Sequence, residues 1–486
     1  MTDHVVIHAP CGDLRGLSQR GVVTFKGIPY AEPPVGPLRW RAPQRLAKWQ
    51  GVRDALEFGP DLPQSPNDKL RGPRQDEDCL YLNVWAPHNA EPGSLPVLVW
   101  FYGGGFVAGS GSDVLSDGAR MASHGAVVVS FNYRAGIFGF LAHPQLSAES
   151  PHRTSGNWGL LDQAAALHWV RENIHAFGGN AQKVCAFGVS AGSASISLML
   201  ASQQFGGLFD SAALQSPGAG RPLASLEDAE RAGAALAADI DELRALPFDK
   251  ILALTSRLTP AVRGLTTPRV LRPIRDGWLL PEDERAVFGS GRIRPMPLLI
   301  GSNRDEGSLL TRGWPVTSVE DWRAQIAGNF ARAEAEAAAL YPARTDADAS
   351  AAVAAMFADT QFNYGTRLLA RSMAQVEPRT WRYLFTRRAP GRQDGPHHAE
   401  EVPYVFGHLD TVRDADTQDR RLSDLMLSHW VAFARTGDPN LPGATHWAPY
   451  VPATDNYLEF GDSVVAGTAW RSPQLDFLDR YFEEAC

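Results

Sequence analysis

The stretch that most narrows what this chain can fold into runs from residue 184 to residue 200. Residues 184–187 are apolar and read as a short buried strand. Gly188-Val189-Ser190-Ala191-Gly192 follows without a spacer, and residues 193–200 then read as a helix. Strand, tight turn and helix in direct succession present one side chain at the carboxyl end of a strand, near a helix N-terminus. The glycines on either side of the serine remove the side chains that so sharp a turn would crowd. The five-residue pattern occurs once. Glycine content alone would give roughly 0.3 chance matches in a chain of this length, so the flanking strand and helix carry the weight. Without them, an ordinary Gly/Ser turn at a helix start would read the same way.

Similar apolar runs stand at 97–102, 126–132, 212–215, 297–300 and 381–385, and 160–174 carries a largely apolar helical pattern. Strands alternating with helices predict an α/β fold, with a central, mostly parallel sheet flanked by helices. Residues 5–8 and 22–25 flank a glycine-containing loop and read as a hairpin or a sheet edge. Residues at about 221–270 and 319–359 are Ala-rich, helical and of mixed charge, and read as helical insertions building a lobe over the sheet. The Pro-rich stretches 29–43 and 391–396 are loops. Residues 1–486 are therefore expected to form one catalytic domain with insertions.

Composition excludes several classes. The chain is 44% hydrophobic and 21% charged over 486 residues, which suits a large buried core. A net charge of -8 argues against a nucleic acid or an anionic membrane as partner. Residues 1–10 do not read as a signal peptide, 95–109 is too broken by Gly and Pro to span a bilayer, and 470–486 is not a hydrophobic anchor. Cys11, Cys79, Cys185 and Cys486 show neither metal spacing nor a CxxC, so no zinc site or disulfide framework is implied. A reducing cytoplasm is the expected compartment.

A serine hydroxyl attacks only when a neighbouring base takes its proton, and the oxyanion then formed needs aimed N–H donors. Tyr102-Gly103-Gly104-Gly105-Phe106, directly after a predicted strand, offers such donors. The N–H groups of Gly104 and Gly105, with that of Ala191, would form the hole. For an acid, 54 Asp and Glu compete. Asp305-Glu306-Gly307 stands out because it follows the strand at 297–300, where α/β enzymes place their sites. Taken alone, a carboxylate there is more often a loop residue or a helix cap. For a base, thirteen histidines compete. His397 and His398 lie after the strand at 381–385, each followed three residues later by Glu400 or Glu401. Serine, then acid, then histidine is the chain order of α/β-hydrolases.

With these segments in place, the chain resembles the type-B carboxylesterase family, which includes bacterial para-nitrobenzyl esterases and the cholinesterases. Phe25-Lys26-Gly27-Ile28-Pro29-Tyr30-Ala31 and Glu77-Asp78-Cys79-Leu80-Tyr81-Leu82-Asn83-Val84 carry the resemblance. So do Asn132-Tyr133-Arg134, Asn157-Trp158-Gly159-Leu160-Leu161-Asp162-Gln163, Phe177-Gly178-Gly179-Asn180 and Tyr404-Val405-Phe406-Gly407. The resemblance implies an α/β-hydrolase fold with Ser190 as nucleophile, Glu306 as acid and His398, not His397, as base. It assigns Gly104, Gly105 and Ala191 to the oxyanion hole, and Glu401 and Ser216 to polar support beside the triad. It places Arg134, Glu77 and Asp162 in buried structural ion pairs.

Three positions depart from the family pattern. Val189 stands where many members carry Glu. Leu62 replaces a cysteine that would pair with Cys79, leaving Cys79 a free buried thiol. Ala186 replaces a larger aliphatic residue, a change read as packing only. The implied activity is hydrolysis of uncharged short- to medium-chain carboxylic esters through an acyl-enzyme on Ser190, with no metal or organic cofactor. The implied partner is a small-molecule ester, with no nucleic acid and no membrane; monomer and homodimer stay equally open. Two rivals remain: an amidase or carbamate hydrolase with the same triad, and a non-catalytic binding module of the same fold. The intact set Ser190, Glu306, His398 with the triple glycine weighs against the second.

Overall fold

A computed structural model of the chain describes residues 3–259, 268–388, 394–412 and 414–483. Its centre is one sheet of thirteen strands. They are β1 (Asp3–Ala9), β2 (Gly12–Gln19), β3 (Val22–Pro29), β4 (Val52–Asp54), β5 (Tyr81–Pro87), β6 (Leu95–Phe101), β7 (Val127–Phe131), β8 (Gly179–Val189), β9 (Ser211–Gln215), β10 (Leu298–Asn303), β11 (Thr380–Phe385), β12 (Asn456–Phe460) and β13 (Val464–Thr468). The order across the sheet is β1-β2-β3-β5-β7-β6-β8-β9-β10-β11-β12-β13, with β4 paired to β2. From β7 to β12 all neighbours run parallel. From β1 to β7 neighbours along this order are antiparallel, as is the last pair, while β4 runs parallel to β2.

The central strands are legible because they are dry on both faces. Every residue of β7, β9, β10 and β11 is buried, and a strand buried on both sides reads as an unbroken apolar run. The sheet's first end differs from the expectation. The segment between residues 8 and 22 is not a loop; it contains β2, so β1, β2 and β3 form a meander. Arg20 and Gly21, both with positive φ, make the two-residue turn between β2 and β3, the backbone that a tight hairpin favours. β2 alternates buried with half-buried residues and contains Gly12 and Gly16, so its apolar pattern is diluted.

The helix expected at 160–174 spans Trp158–Asn173. Within 221–270 stand the helices Leu226–Ala234, Ile240–Arg244, Phe248–Ala253 and Thr255–Leu258; residues 260–267 lie outside the described residues. Ile240, Leu243 and Ile251 from this stretch pack on Phe138 and Leu141. Within 319–359 stand Val319–Phe330, Glu334–Leu340 and Asp346–Ala358. Trp322, Phe330 and Met356 there share a second apolar cluster with Leu475 and Phe477 of the helix Ser472–Glu483. Among the described residues no helix is long and apolar enough to cross a membrane.

The three charged residues expected in buried ion pairs fall into two pairs. Asp162 accepts from Arg134 N, Nε and Nη2 at 3.0, 2.8 and 2.7 Å. Glu77 pairs instead with Arg39, accepting from its Nε at 2.7 Å and also from its Nη2. Nη1 of Arg39 donates to the carbonyls of Arg244 and Leu246 at 2.9 and 2.7 Å, which ties the first helical stretch to the body. Cys79 is buried and free, and burial pushes its thiol pKa up. Leu62 is fully buried as well.

Candidate active site

β8 ends at Val189, and Ser190 turns the chain with φ 56° into the helix Ala191–Ala201. A left-handed non-glycine residue costs of order 1–3 kcal/mol and persists only where its surroundings enforce it. The surroundings here are the end of β6. A methyl group at Gly188 would lie 2.6 Å from the carbonyl oxygen of Phe101, and one at Gly192 only 2.0 Å from it. Both flanking glycines are thus dictated by backbone contact. The loop after β6 passes against the same turn: a Cβ at Gly103 would meet Ser190 Cβ at 3.1 Å. Gly104 and Gly105 have φ values of 116° and 66°, and a methyl on Gly104 would lie 2.0 Å from the Ala108 carbonyl oxygen.

The acid and the imidazole come from loops after β10 and β11. Glu306 is fully buried. Its Oε2 is 2.5 Å from His398 Nδ1, while Oε1 accepts from Ser216 Oγ at 2.5 Å and from the Asn303 N–H at 2.6 Å. The structure therefore brings together Glu306, His398 and Ser216. His397 has other partners: its Nδ1 is 2.8 Å from Ser308 Oγ, and Asp305 and Asp394 lie at 3.7 and 3.6 Å. Nε2 of His398 is buried and lacks a hydrogen-bond partner. It belongs to the wall of a cleft of about 1250 Å³ that Ser190, Ala191, Gly104 and Gly105 also line. Val189 lines this cleft too, an apolar side chain beside Ser190. Ala186 is buried in β8.

Glu401 lies one residue further back. It accepts from Gln215 Nε2 at 3.0 Å and from Asn303 Nδ2 at 2.5 Å. Asn303 thus holds Glu306 with its backbone and Glu401 with its side chain. Burial first, and the neighbouring Glu306 second, push the Glu401 carboxyl up from 4.5 to about 7. The folded state keeps this proton over a range where the unfolded chain releases it. Its contribution to stability is full below about pH 4.5 and is lost as pH rises through about 7. Glu284, buried elsewhere beside the cleft, is raised to about 7 by its own burial and adds a slope of the same sign. The thermal midpoint is expected to fall less between about pH 5 and about pH 8 in Glu401→Gln than in the wild type. Identical slopes in the two proteins would contradict this account.

Asn303, Gln215 and Phe362 carry no sequence signal of a role. Phe362 stands in a π-helical turn, Asp359–Asn363, and its ring lies 4.2 Å from the His398 ring, centroid to centroid. Single π turns recur at functional sites, but no spacing rule announces one.

A sequence profile described as the carboxylesterase family matches residues 3–478. The chain belongs to the carboxylesterase family. Its sheet, with flanking helices, is that of the α/β-hydrolase fold found in solved members. One structure titled PNB esterase superposes with a TM-score of 0.86 at 34% identity, covering 97% of this chain and 100% of the other. A carboxylesterase-family relative described as fumonisin B1 esterase, from Sphingopyxis macrogoltabida, is 43% identical over 95% of this chain and 87% of its own length. Another, para-nitrobenzyl esterase from Bacillus subtilis (strain 168), is 37% identical over 94% of each. As a member of the carboxylesterase family the chain is an enzyme of the ester-hydrolase class, as the resemblance implied.

Proposed function

We propose that the chain is a serine carboxylesterase working through an acyl-enzyme on Ser190, with 1–486 acting as one catalytic domain. The observation that carries this reading is the Glu306–His398 contact at 2.5 Å, with the far imidazole nitrogen unpartnered at the cleft that Ser190 lines. That nitrogen takes the Ser190 proton as Oγ attacks the ester carbonyl. The carbonyl oxygen becomes an oxyanion, stabilised by the N–H groups of Gly104, Gly105 and Ala191. The carbon–oxygen bond to the alcohol then breaks, and His398 gives the leaving alcohol its proton. Water, deprotonated by His398, releases the acid and restores Ser190. Glu306 fixes the tautomer with the proton on Nδ1 and stabilises the imidazolium without accepting that proton. Ser216 and Asn303, by occupying its other oxygen, keep Oε2 turned to the ring.

Uncharged short- to medium-chain esters fall within the proposed range, because apolar residues such as Phe106, Leu252 and Trp314 line much of the cleft. Amides and carbamates would use the same groups with a nitrogen leaving group. Esters take precedence because the two relatives described above, at 43% and 37% identity, are named esterases.

The test is labelling by an alkyl fluorophosphonate with peptide mass mapping, beside turnover of p-nitrophenyl acetate and butyrate. The adduct is expected on the peptide carrying Ser190, with turnover lost in the labelled protein. Folded protein that takes no label and turns over neither ester would overturn the proposal and favour a binding module.

A further inference from the structure

The loops that carry the acid and the base meet through two successive pairs of residues. Glu306 contacts His398 directly. Asp305 pairs with His397, and their side chains meet through a third residue. On the backbone, the Asp305 N–H donates to the Pro396 carbonyl at 3.1 Å. Asp305 Oδ2 accepts from the Gly395 N–H at 3.2 Å and from Ser308 Oγ at 2.7 Å. Ser308 Oγ in turn stands 2.8 Å from Nδ1 of the buried His397 ring. The direction of these bonds follows from the groups. A carboxylate only accepts, so the serine hydroxyl gives its one proton to Asp305 and must accept from the imidazole. His397 therefore donates from Nδ1. Its Nε2 has no hydrogen-bond partner and faces Asp394 Oδ2 at 3.6 Å, so it takes no part in the link.

The stretch that bears His398 needs such a hold. Ala399, the next residue, has φ 67°. A left-handed conformation costs energy in a residue with a side chain and lasts only where its surroundings enforce it. Anchors stand on both sides of it. On the far side Glu401 is held by Gln215 Nε2 and Asn303 Nδ2. On the near side the His397 carbonyl accepts from the same Asn303 Nδ2 at 2.6 Å, and the His397 N–H donates to Glu400 Oε2 at 2.6 Å. These two are backbone contacts that any residue at 397 could make. The bond from the ring to Ser308 is the one that requires a side chain with a donor at the Nδ1 position.

We infer that His397 is a positioning residue for the reaction at Ser190: through Ser308 and Asp305 it clamps the base loop to the acid loop and sets how far Nε2 of His398 reaches toward the serine. The inference rests on the serine esterase reading of Ser190 and adds to it a residue that acts through His398 and not on the substrate. A base that is slightly displaced still admits substrate to the cleft, but takes the Ser190 proton more slowly. The cost of losing the clamp therefore falls on kcat and not on KM.

Turnover of p-nitrophenyl butyrate by a small set of variants tests it. His397→Phe keeps a flat ring without the donor, and Ser308→Ala removes the hydroxyl between the ring and Asp305. Each is expected to lower kcat about tenfold with KM within about twofold, and the double variant is expected to fall no further than the slower single one, since both substitutions break the same link. His397→Asn can place an amide N–H where Nδ1 stands, so its kcat is expected to stay within about threefold of the wild type, a rescue that ring packing alone would not give. Unchanged kcat in both His397→Phe and Ser308→Ala overturns the inference and leaves the esterase reading intact. So do losses that multiply in the double variant, losses carried by KM, or His397→Asn as slow as His397→Phe. If His397→Phe does not fold, Ser308→Ala decides: a tenfold lower kcat at steady KM supports the clamp, and full kcat refutes it. A wild type that takes no fluorophosphonate label and turns over no ester removes the esterase reading, and this one falls with it.

Discussion

Replacing Glu306 by glutamine is expected to lower kcat for a p-nitrophenyl ester about 10,000-fold with little change in thermal midpoint. The size follows from the fixed roles of the two oxygens. Oε1 accepts from two donors, Ser216 Oγ and the Asn303 N–H, and Oε2 faces His398 Nδ1. In the glutamine variant the carbonyl stays with the two donors, so the amide nitrogen must face the imidazole. Nδ1 then has to accept rather than donate, which moves the ring proton to Nε2. An imidazole carrying that proton cannot take the one on Ser190. The neutral amide also gives no stabilisation to the imidazolium of the transition state. The geometry is retained because glutamine copies the shape of glutamate. A loss smaller than about tenfold would mean that Glu306 is a structural acid and that His398 is oriented by something else.

The second large effect concerns stability. Asp162→Ala is expected to destabilise the fold by about 3–5 kcal/mol, the usual result of leaving one member of a buried ion pair alone. Arg134 and Asp162 are both buried, and the carboxylate takes three hydrogen bonds from the arginine. Arg134 Nη1 already lacks a partner, and the arginine's other acceptor, the Arg41 carbonyl 2.8 Å from Nη2, is neutral and leaves the charge unbalanced. The double replacement Arg134→Met with Asp162→Leu is expected to recover much of the loss, because it removes both charges together. Thermal midpoints of the three proteins check this. An unchanged midpoint in Asp162→Ala would show that water reaches the guanidinium and that the pair is not a buried one.

What the sequence reveals, and what it hides, divides along physical lines. The strands from β6 to β11 are legible because each carries a run covered on both faces that is mostly apolar; in β8 only the stretch from Val184 onward is so covered. β2 is missed because a strand at the sheet's end needs only half its residues apolar, and its glycines weaken even that half. Ser190 and the triple glycine are legible because close backbone approach at Gly188, Gly192 and Gly104 permits no Cβ and Gly105 has a positive φ, so the turns leave a pattern in glycine. Glu306 and His398 are found by chain order, and the choice between His397 and His398 needs the family pattern. Asn303 and Gln215 leave no trace: an amide that braces a carboxylate from a neighbouring strand looks like any other polar residue until the strands are side by side. The same holds for Arg39 as the partner of Glu77, and for Ser308 as the partner of His397. Their meeting is a tertiary event, and no local period encodes it.

The turn that seats Phe362 against His398 is held from far along the chain. Asp359, in that turn, accepts from Arg471 Nε at 2.6 and 2.8 Å. Arg367, just beyond it, donates to Asp476 and Asp479 at 2.7 and 2.6 Å. A ribosome makes Ser190, Glu306 and His398 well before it reaches residue 471. Throughout that interval the nascent polypeptide carries the groups proposed for hydrolysis but not the clasp that holds the ring against the imidazole. The seating of Phe362 against His398 thus waits on a residue 112 positions beyond Asp359.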